Sequence, residues 1–133
     1  MKGRKPELKA VDGGLSRFPP APSWLPDEAK AEWKRVTPGL KQRQTLTKED
    51  LPVLEAYCLA AGTIRRMQQV IAVEGDMVTN DKGDQKRHPA FQTLFQSLTE
   101  FRRLAAELGL SPASRNKALS ANGGNDDLAD LDL

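Results

Sequence analysis

The sequence has few of the residues that catalysis, metal binding and disulfide cross-linking require. It contains one cysteine, Cys58, and one histidine, His88, and only 5% of its residues are aromatic. A single cysteine excludes an internal disulfide framework, and this pair alone excludes a structural zinc site. No base lies beside Cys58, so no nucleophile–base pair is expected. We interpret Cys58 as a core residue and His88 as a helix-capping or loop residue.

Other functional patterns are also absent. No Gly-x-x-x-x-Gly-Lys-Ser/Thr segment occurs, so the chain lacks a phosphate-cradling loop for ATP. The residues around Gly83 fail the calcium-loop pattern, because Val78 stands where the first ligand belongs. No apolar run approaches the roughly 20 residues of a membrane-spanning helix, and no secretion signal is present. The sequence therefore predicts a soluble intracellular chain that binds no cofactor, metal or membrane.

Charge is distributed unevenly along the 133 residues, although the net charge is only +2. Residues 1–17 are mainly basic, whereas residues 122–133 contain four aspartates and no basic residue. Such opposed ends are typical of interaction tails with different partners. We predict a basic disordered arm over 1–22, a helical oligomerisation and DNA-handling domain over 23–117, and an acidic disordered tail over 118–133.

A long amphipathic helix is predicted between Pro89 and Gly109. Proline suits the first turn of a helix, and glycine suits the left-handed residue that ends one. Ser111 and Pro112 then read as the cap and first residue of a second, short helix. The apolar residues between these signals recur every three or four positions and form one wide stripe: Phe91, Leu94, Phe95, Leu98, Phe101, Leu104, Ala105 and Leu108.

Two earlier helices are predicted. The first covers about 27–36, with Trp33 and Val36 inward, Trp24 packed against its start, and a break at 37–39. The second is capped by Asp50, since Pro52 is tolerated only in a first turn, and runs to about Val73. A hairpin or ordered loop follows over 77–87. The expected fold class is mainly α, a three-helix core with a long central helix and disordered tails.

The middle of the central helix is apolar in nearly every direction around its axis. A helix of this kind must be covered on several sides. We predict that a neighbouring subunit supplies part of the cover, so that the chain forms a homo-oligomer. The alternative is a monomer in which the first and last helices enclose it. The predicted oligomer interface comprises Val53, Leu54, Tyr57, Leu59 and Ile64.

Basic side chains provide the positive signal for function, because lysine and arginine on a surface bind nucleic-acid phosphates. Arg103 has a possible helical partner in Glu107, so it is interpreted as structural. For the others the alternative is a solvated helix face. The predicted DNA-binding residues are Lys2, Arg4, Lys5, Lys9, Arg17, Arg65, Arg66, Arg102, Arg115 and Lys117.

Residues 104–119 also admit a helix-turn-helix interpretation. Ala105 and Gly109 have the spacing that this motif needs for close packing, and a second helix follows. Arg115, however, stands where the motif requires an apolar residue. The alternative is a capping turn at a subunit boundary, and both interpretations remain open.

Five segments together resemble the small subunit of tailed-phage terminases. They are Met1–Pro6, Pro22–Trp33, Leu54–Cys58, His88–Ala90 and Phe101–Arg115. The resemblance implies a non-enzymatic, cyclic homo-oligomer in the bacterial host cytoplasm. It would bind double-stranded viral DNA at packaging initiation and recruit the large subunit, which holds the ATPase and nuclease. The acidic tail, with Asp126, Asp127, Asp130 and Asp132, is then a candidate contact for the large subunit.

Two other function classes fit the same residues. A dimeric helix-turn-helix regulator would place two half-sites about 34 Å apart, whereas a ring would be a larger cyclic assembly. A scaffold that only stimulates a partner ATPase would not bind DNA at all.

Overall fold

The computed structural model describes residues 10–116, and it confirms a mainly helical fold with a long central helix. Within these residues the helices are α1 (Asp27–Arg43), α2 (Leu51–Glu74) and α3 (Ala90–Glu107), and an antiparallel hairpin of β1 (Met77–Thr79) and β2 (Gln85–Arg87) joins α2 to α3. None of the described helices is long and apolar enough to cross a membrane. The hairpin confirms the first of the two options predicted for 77–87.

Helix α1 continues past the predicted break at 37–39. Pro38 lies inside it and removes one helical hydrogen bond, at a cost of about 3 kcal/mol. Leu40 compensates for much of this cost because it is fully buried and extends the inward row of Trp33 and Val36 by one turn. The helix ends at Gln44, whose left-handed backbone (φ 54°) lets its N–H bond the Leu40 carbonyl at 2.9 Å.

The start of α2 combines two capping signals. Thr47 donates its N–H and its hydroxyl to the Asp50 carboxylate, at 2.8 and 3.1 Å, around a short 3-10 turn over Lys48–Asp50. Asp50 then precedes the first residue of α2, and Pro52 occupies the first turn as predicted.

The end of α3 closes as the sequence predicts. Gly109 adopts a positive φ of 69°, and the Leu110 N–H bonds the Ala105 carbonyl at 2.8 Å. The Ser111 hydroxyl accepts the Ser114 N–H at 3.1 Å and caps a helical turn over 112–116.

One apolar core joins α1 to the first half of α2 and the end of α3. Its buried residues are Leu25, Ala29, Trp33, Val36, Leu40, Leu46, Leu54, Tyr57, Cys58, Ala105 and Leu108. The assignment of Leu54 and Tyr57 to an oligomer interface is therefore wrong, because their own chain covers them. Val53 and Leu59 pack against this core half-buried, and Ile64 is also half-buried. Cys58 is a core residue, as predicted.

The segment before α1, part of the predicted disordered arm over 1–22, is joined by backbone hydrogen bonds to the loop after α1. The Val11 N–H bonds the Gln44 carbonyl at 3.1 Å, and the Leu15 N–H bonds the Leu46 carbonyl at 2.7 Å. At Gly14 any side chain would collide with the Gln44 carbonyl, since an added Cβ would lie 2.0 Å from its oxygen. Residues 1–9 and 117–133 lie outside the described part of the chain.

Trp24 does not pack against the start of α1 as predicted. Its side chain is 61% exposed, whereas the adjacent Leu25 is 3% exposed and belongs to the core. The Leu25 N–H bonds the Pro22 carbonyl at 3.1 Å, and this turn directs Leu25 rather than Trp24 inward.

The helical arm, residues 63–100, comprises the second half of α2, the hairpin and the first half of α3. In the described structure no side chain of this arm belongs to the core cluster. Its own buried apolar residues are Ala90 and Leu94, which lie on α3. In the arm, α2 and α3 therefore cover one side of each other, and their remaining sides are uncovered.

Candidate nucleic-acid and subunit interfaces

One face of α1 carries a row of lysines. Lys30, Lys34 and Lys41 are spaced by four and seven residues, which places them on the same side of the helix. No carboxylate in the described structure lies within 4 Å of any of the three ammonium groups. We call Lys30, Lys34, Lys41 and the facing Arg17 the basic row.

A groove runs beside the basic row, between α1 and the segment over residues 17–21. It consists of a cavity of about 540 Å³ and an adjoining cavity of about 400 Å³, which share Phe18 and Thr37. Lys30 and Lys34 line the larger cavity, and Lys41 and Arg17 line the smaller one. The Trp33 indole N–H donates to the Pro19 carbonyl at 3.1 Å and fixes the segment against the helix.

The groove combines a basic rim with an apolar floor. Phe18, Pro20, Ala31 and Trp33 contribute apolar lining, and Asp27 is the acidic residue among the lining side chains. The groove therefore suits a ligand that carries negative charge and apolar groups together.

A second pair of cations lies at the end of α1. Burial, and then the nearby charge of Arg115, lower the pKa of the Arg43 guanidinium. Arg115 itself donates to the Leu110 carbonyl at 3.0 Å and is half-buried. Arg115, which is a predicted DNA contact, thus also stabilises the turn after α3.

The structure separates the remaining predicted DNA-binding residues into different settings. Arg65 lines a cavity with Glu28 and Glu32, so acidic neighbours offset its charge. Arg66 is exposed and donates to the Thr63 hydroxyl at 3.3 Å, and Arg102 is exposed on α3. Lys2, Arg4, Lys5, Lys9 and Lys117, together with the acidic tail residues, lie outside the described part.

Arg103 has a helical partner, but not the one predicted. It donates to Glu100 at 2.7 Å, three residues earlier, rather than to Glu107. At least half of each side chain is exposed to solvent, so the ion pair contributes little to stability.

On the side of α1 opposite the basic row, a network of charged and hydrogen-bonded side chains joins α1 to α2. Burial alone would raise the pKa of Glu32, but hydrogen bonds from Arg35 and Tyr57 outweigh it and lower that pKa. The same contacts raise the pKa of Arg35. Burial, followed by the Glu32 carboxylate, raises the pKa of Tyr57. These groups satisfy one another, which indicates a structural role.

The large exposed apolar side chains of the helices and hairpin lie in the helical arm rather than at the middle of α2. Val73 is 86% exposed, Phe95 is 48% exposed, and Met77 and Leu98 are also open. The Arg87 guanidinium carbon lies 5.4 Å from the centroid of the Phe95 ring and partly covers it. The uncovered apolar surface thus lies farther along the chain than the residues predicted from the sequence.

No group of three or more potential metal ligands occurs among the described residues. His88 accepts the Ala90 N–H at Nδ1 (3.0 Å), and its Nε2 lies 3.1 Å from the Glu74 carboxylate. This confirms the capping role predicted for His88. Burial raises the pKa of the Cys58 thiol to about 12, which keeps it protonated and unreactive near neutral pH.

The basic row was missed by the sequence analysis, although its signal was present. Ending α1 at about residue 36 placed Lys41 in a loop and hid its alignment with Lys30 and Lys34. Continuation of the helix through Pro38 brings the three together.

A comparison with protein-family models matches residues 29–125 to the family described as phage terminase, small subunit. Comparisons with curated proteins and with solved structures find no match. The matched range covers more than half of the chain, from α1 through the turn after α3. The chain therefore belongs to the phage terminase small-subunit family.

Proposed function

We propose that this chain is the homo-oligomeric DNA-binding component of a phage packaging complex. It recognises viral double-stranded DNA at packaging initiation, in the cytoplasm of the bacterial host, and recruits and regulates the large ATPase-nuclease subunit. It carries out no reaction itself. The observation that carries the DNA-binding part is the basic row, in which Lys30, Lys34, Lys41 and Arg17 have no carboxylate of residues 10–116 within ion-pair distance.

Unpaired cations favour a polyanion on simple electrostatic grounds. Each lysine that meets a phosphate releases a condensed counterion, and the affinity then falls steeply with salt. Lys34 and Lys41 are exposed and already aligned on a rigid helix, so they need little ordering to meet a duplex. The basic residues 2–9 and Arg66, Arg102 and Arg115 remain additional proposed contacts, together with Lys117.

The homo-oligomeric part is supported by the helical arm. Two paired helices leave their outer sides uncovered, and Val73, Met77, Phe95 and Leu98 are open to solvent there. Contiguous exposed apolar side chains mark interfaces in soluble proteins. A second copy offers the same surface in turn, and cyclic repetition of such contacts yields a ring. Val53, Leu59 and Ile64, which are half-buried, can extend this interface.

The recruitment part is supported by charge. Asp126, Asp127, Asp130 and Asp132 repel DNA phosphates, so their segment suits a protein partner better than the genome. We assign it to the large subunit.

Salt-dependent DNA titration of the full chain tests the DNA-binding part. Replacing Lys30, Lys34 and Lys41 by alanine should reduce the slope of log affinity against log salt by about 1 for each lysine that contacts a phosphate. Lys82→Ala and Lys86→Ala on the hairpin provide matched controls and should leave the slope unchanged. Equal effects of the two sets would overturn the assignment of the basic row.

Light scattering of the same samples distinguishes the possible oligomeric states. A mass of several chains supports the cyclic oligomer, and a two-chain mass with two-fold operator spacing favours the helix-turn-helix regulator. Absence of any DNA affinity at low salt would leave only a scaffold for the large subunit.

A further inference from the structure

We infer that, in the chain free of the large subunit, the acidic segment (residues 126–133) occupies the groove beside the basic row and competes there with nucleic acid. The competition with DNA rests on the proposed function, whereas occupancy of the groove does not. The segment is an autoinhibitory ligand, because its carboxylates are attracted to the cations of the basic row, Lys30, Lys34, Lys41 and Arg17.

The acidic segment is chemically complementary to the groove. The segment reads Asp-Asp-Leu-Ala-Asp-Leu-Asp-Leu and contains no basic residue. In an extended chain alternate side chains point to opposite sides. Asp130 and Asp132 then share one side, and Ala129, Leu131 and Leu133 share the other. A basic rim over an apolar floor is the matching surface, with lysines for the carboxylates and aromatic and proline side chains for the leucines.

The acidic segment also matches the groove in length. The groove follows α1 from Asp27 to Lys41, about 21 Å at the rise of an α-helix. Eight extended residues span about 26 Å, so the acidic segment fills the groove from end to end.

The described chain also stops close to the groove. Arg115 lies close enough to Arg43 to affect its pKa, so the described chain stops beside the C-terminal end of α1. Nine residues lie between Asn116 and Asp126, and the ten steps from one to the other reach at most about 33–36 Å. The whole of α1 is about 26 Å long, so every part of the groove is within range.

Zero-length carbodiimide cross-linking of the full chain tests the inference directly, because this reagent joins only lysines and carboxylates that touch. Residues 118–133 contain no lysine or arginine, so trypsin leaves them together in one peptide. We expect this peptide on Lys30, Lys34 and Lys41, and we expect its yield to fall as salt is raised. Lys82 and Lys86 are the matched exposed controls.

Cross-links that are spread equally over the hairpin lysines, or concentrated on Lys2, Lys5 and Lys9, would overturn the inference. The second outcome would mean that the acidic segment pairs with the basic arm instead of the groove.

A second measurement uses the full chain with Asp126, Asp127, Asp130 and Asp132 replaced by asparagine. Removal of the competing charge should raise DNA affinity at low salt by at least about fivefold, the lower end of ordinary coupling between sites. The charge-matched control removes four exposed carboxylates elsewhere, by Asp76→Asn, Asp81→Asn, Asp84→Asn and Glu107→Gln. Unchanged affinity in a chain that still binds DNA through the basic row overturns the competition. Groove cross-links in a chain that binds no DNA would instead overturn the proposed function.

Discussion

The Tyr57 hydroxyl donates a 2.5 Å hydrogen bond to the Glu32 carboxylate and so joins α2 to α1. The ring of Tyr57 stacks on Phe101 of α3, with the centroids 4.9 Å apart. Tyr57, which lies on α2, therefore contacts both other helices of the core. These contacts explain why its side chain is only 1% exposed.

We predict that Tyr57→Phe lowers the free energy of unfolding by about 1.5–3 kcal/mol, the range for a hydrogen bond to a charged group. The phenylalanine keeps the stacking on Phe101, so the loss reports the hydroxyl alone. Urea unfolding measures it. A double-mutant cycle with Glu32→Gln is the control, because the two losses should be clearly non-additive if the contact is the cause.

Alkaline pH should weaken the fold through Cys58. Burial raises the pKa of this thiol to about 12, whereas an unfolded cysteine titrates near 8.5. The folded pKa is the higher one, so the stabilisation is complete below about pH 8.5 and is lost as the pH rises toward 12, by up to about 1.4 kcal/mol per pH unit. Tyr57 adds a similar loss only above about pH 10.

Urea unfolding between about pH 8.5 and pH 10 isolates the cysteine contribution. Cys58→Ala should flatten the pH dependence in this window, although it lowers stability overall by leaving a small cavity. Identical slopes for the two chains would show that another group is responsible.

The two glycines inside helices should respond oppositely to alanine. A Cβ on Gly62 would lie 3.0 Å from the Ala29 nitrogen and 3.3 Å from its Cβ, so α1 and α2 would have to move apart. We expect Gly62→Ala to destabilise the chain, with an overpacking cost of about 1–3 kcal/mol that exceeds the gain in helix propensity.

Gly39 is the matched case in α1. Its nearest obstacle is the flexible end of Arg43 at 3.6 Å, so Gly39→Ala should stabilise the chain by up to about 1 kcal/mol. Thermal unfolding of both variants gives the comparison. The same sign of shift at both positions would contradict the close approach of the two helices.

Assembly should depend on the helical arm. Phe95→Asp together with Leu98→Asp places charge on its open apolar side and should lower the mass of the particle in light scattering, because charge is excluded from interface cores. Circular dichroism should show that the helices persist, since neither residue belongs to the core cluster. Gln96→Asp, exposed on another side of α3, is the control and should leave the mass unchanged.

Elements with explicit end signals were predictable from the sequence. Asp50 with Pro52 and Gly109 with Ser111 mark helix boundaries through their local chemistry, and the structure has helix ends at those places. A boundary decided by tertiary burial was not predictable in this way. Pro38 looks like a break, and only the enclosure of Leu40 in the core explains why the helix continues.

The candidate sites were harder to predict than the helices. Periodicity shows that Leu54 and Tyr57 need cover, but it does not tell whether the cover belongs to the same chain. Charge patterns have the same weakness, because the basic row depends on the true length of α1. Trp24 and Leu25 are adjacent apolar residues, and a single turn at Pro22 decides which one is buried.

The hydrogen bond from the Val11 N–H to the Gln44 carbonyl fixes the start of the described chain beside the C-terminal end of α1. Residue 10 and the turn after α3 both lie at the end of α1 where α2 begins, and the hairpin lies at the far end of α2, about 36 Å along its axis. The described part of each subunit is therefore polar, with residue 10 and the turn after α3 at one pole and the hairpin at the other. Copies related by rotation about one axis would align these poles, so the assembled object would have unlike front and back faces.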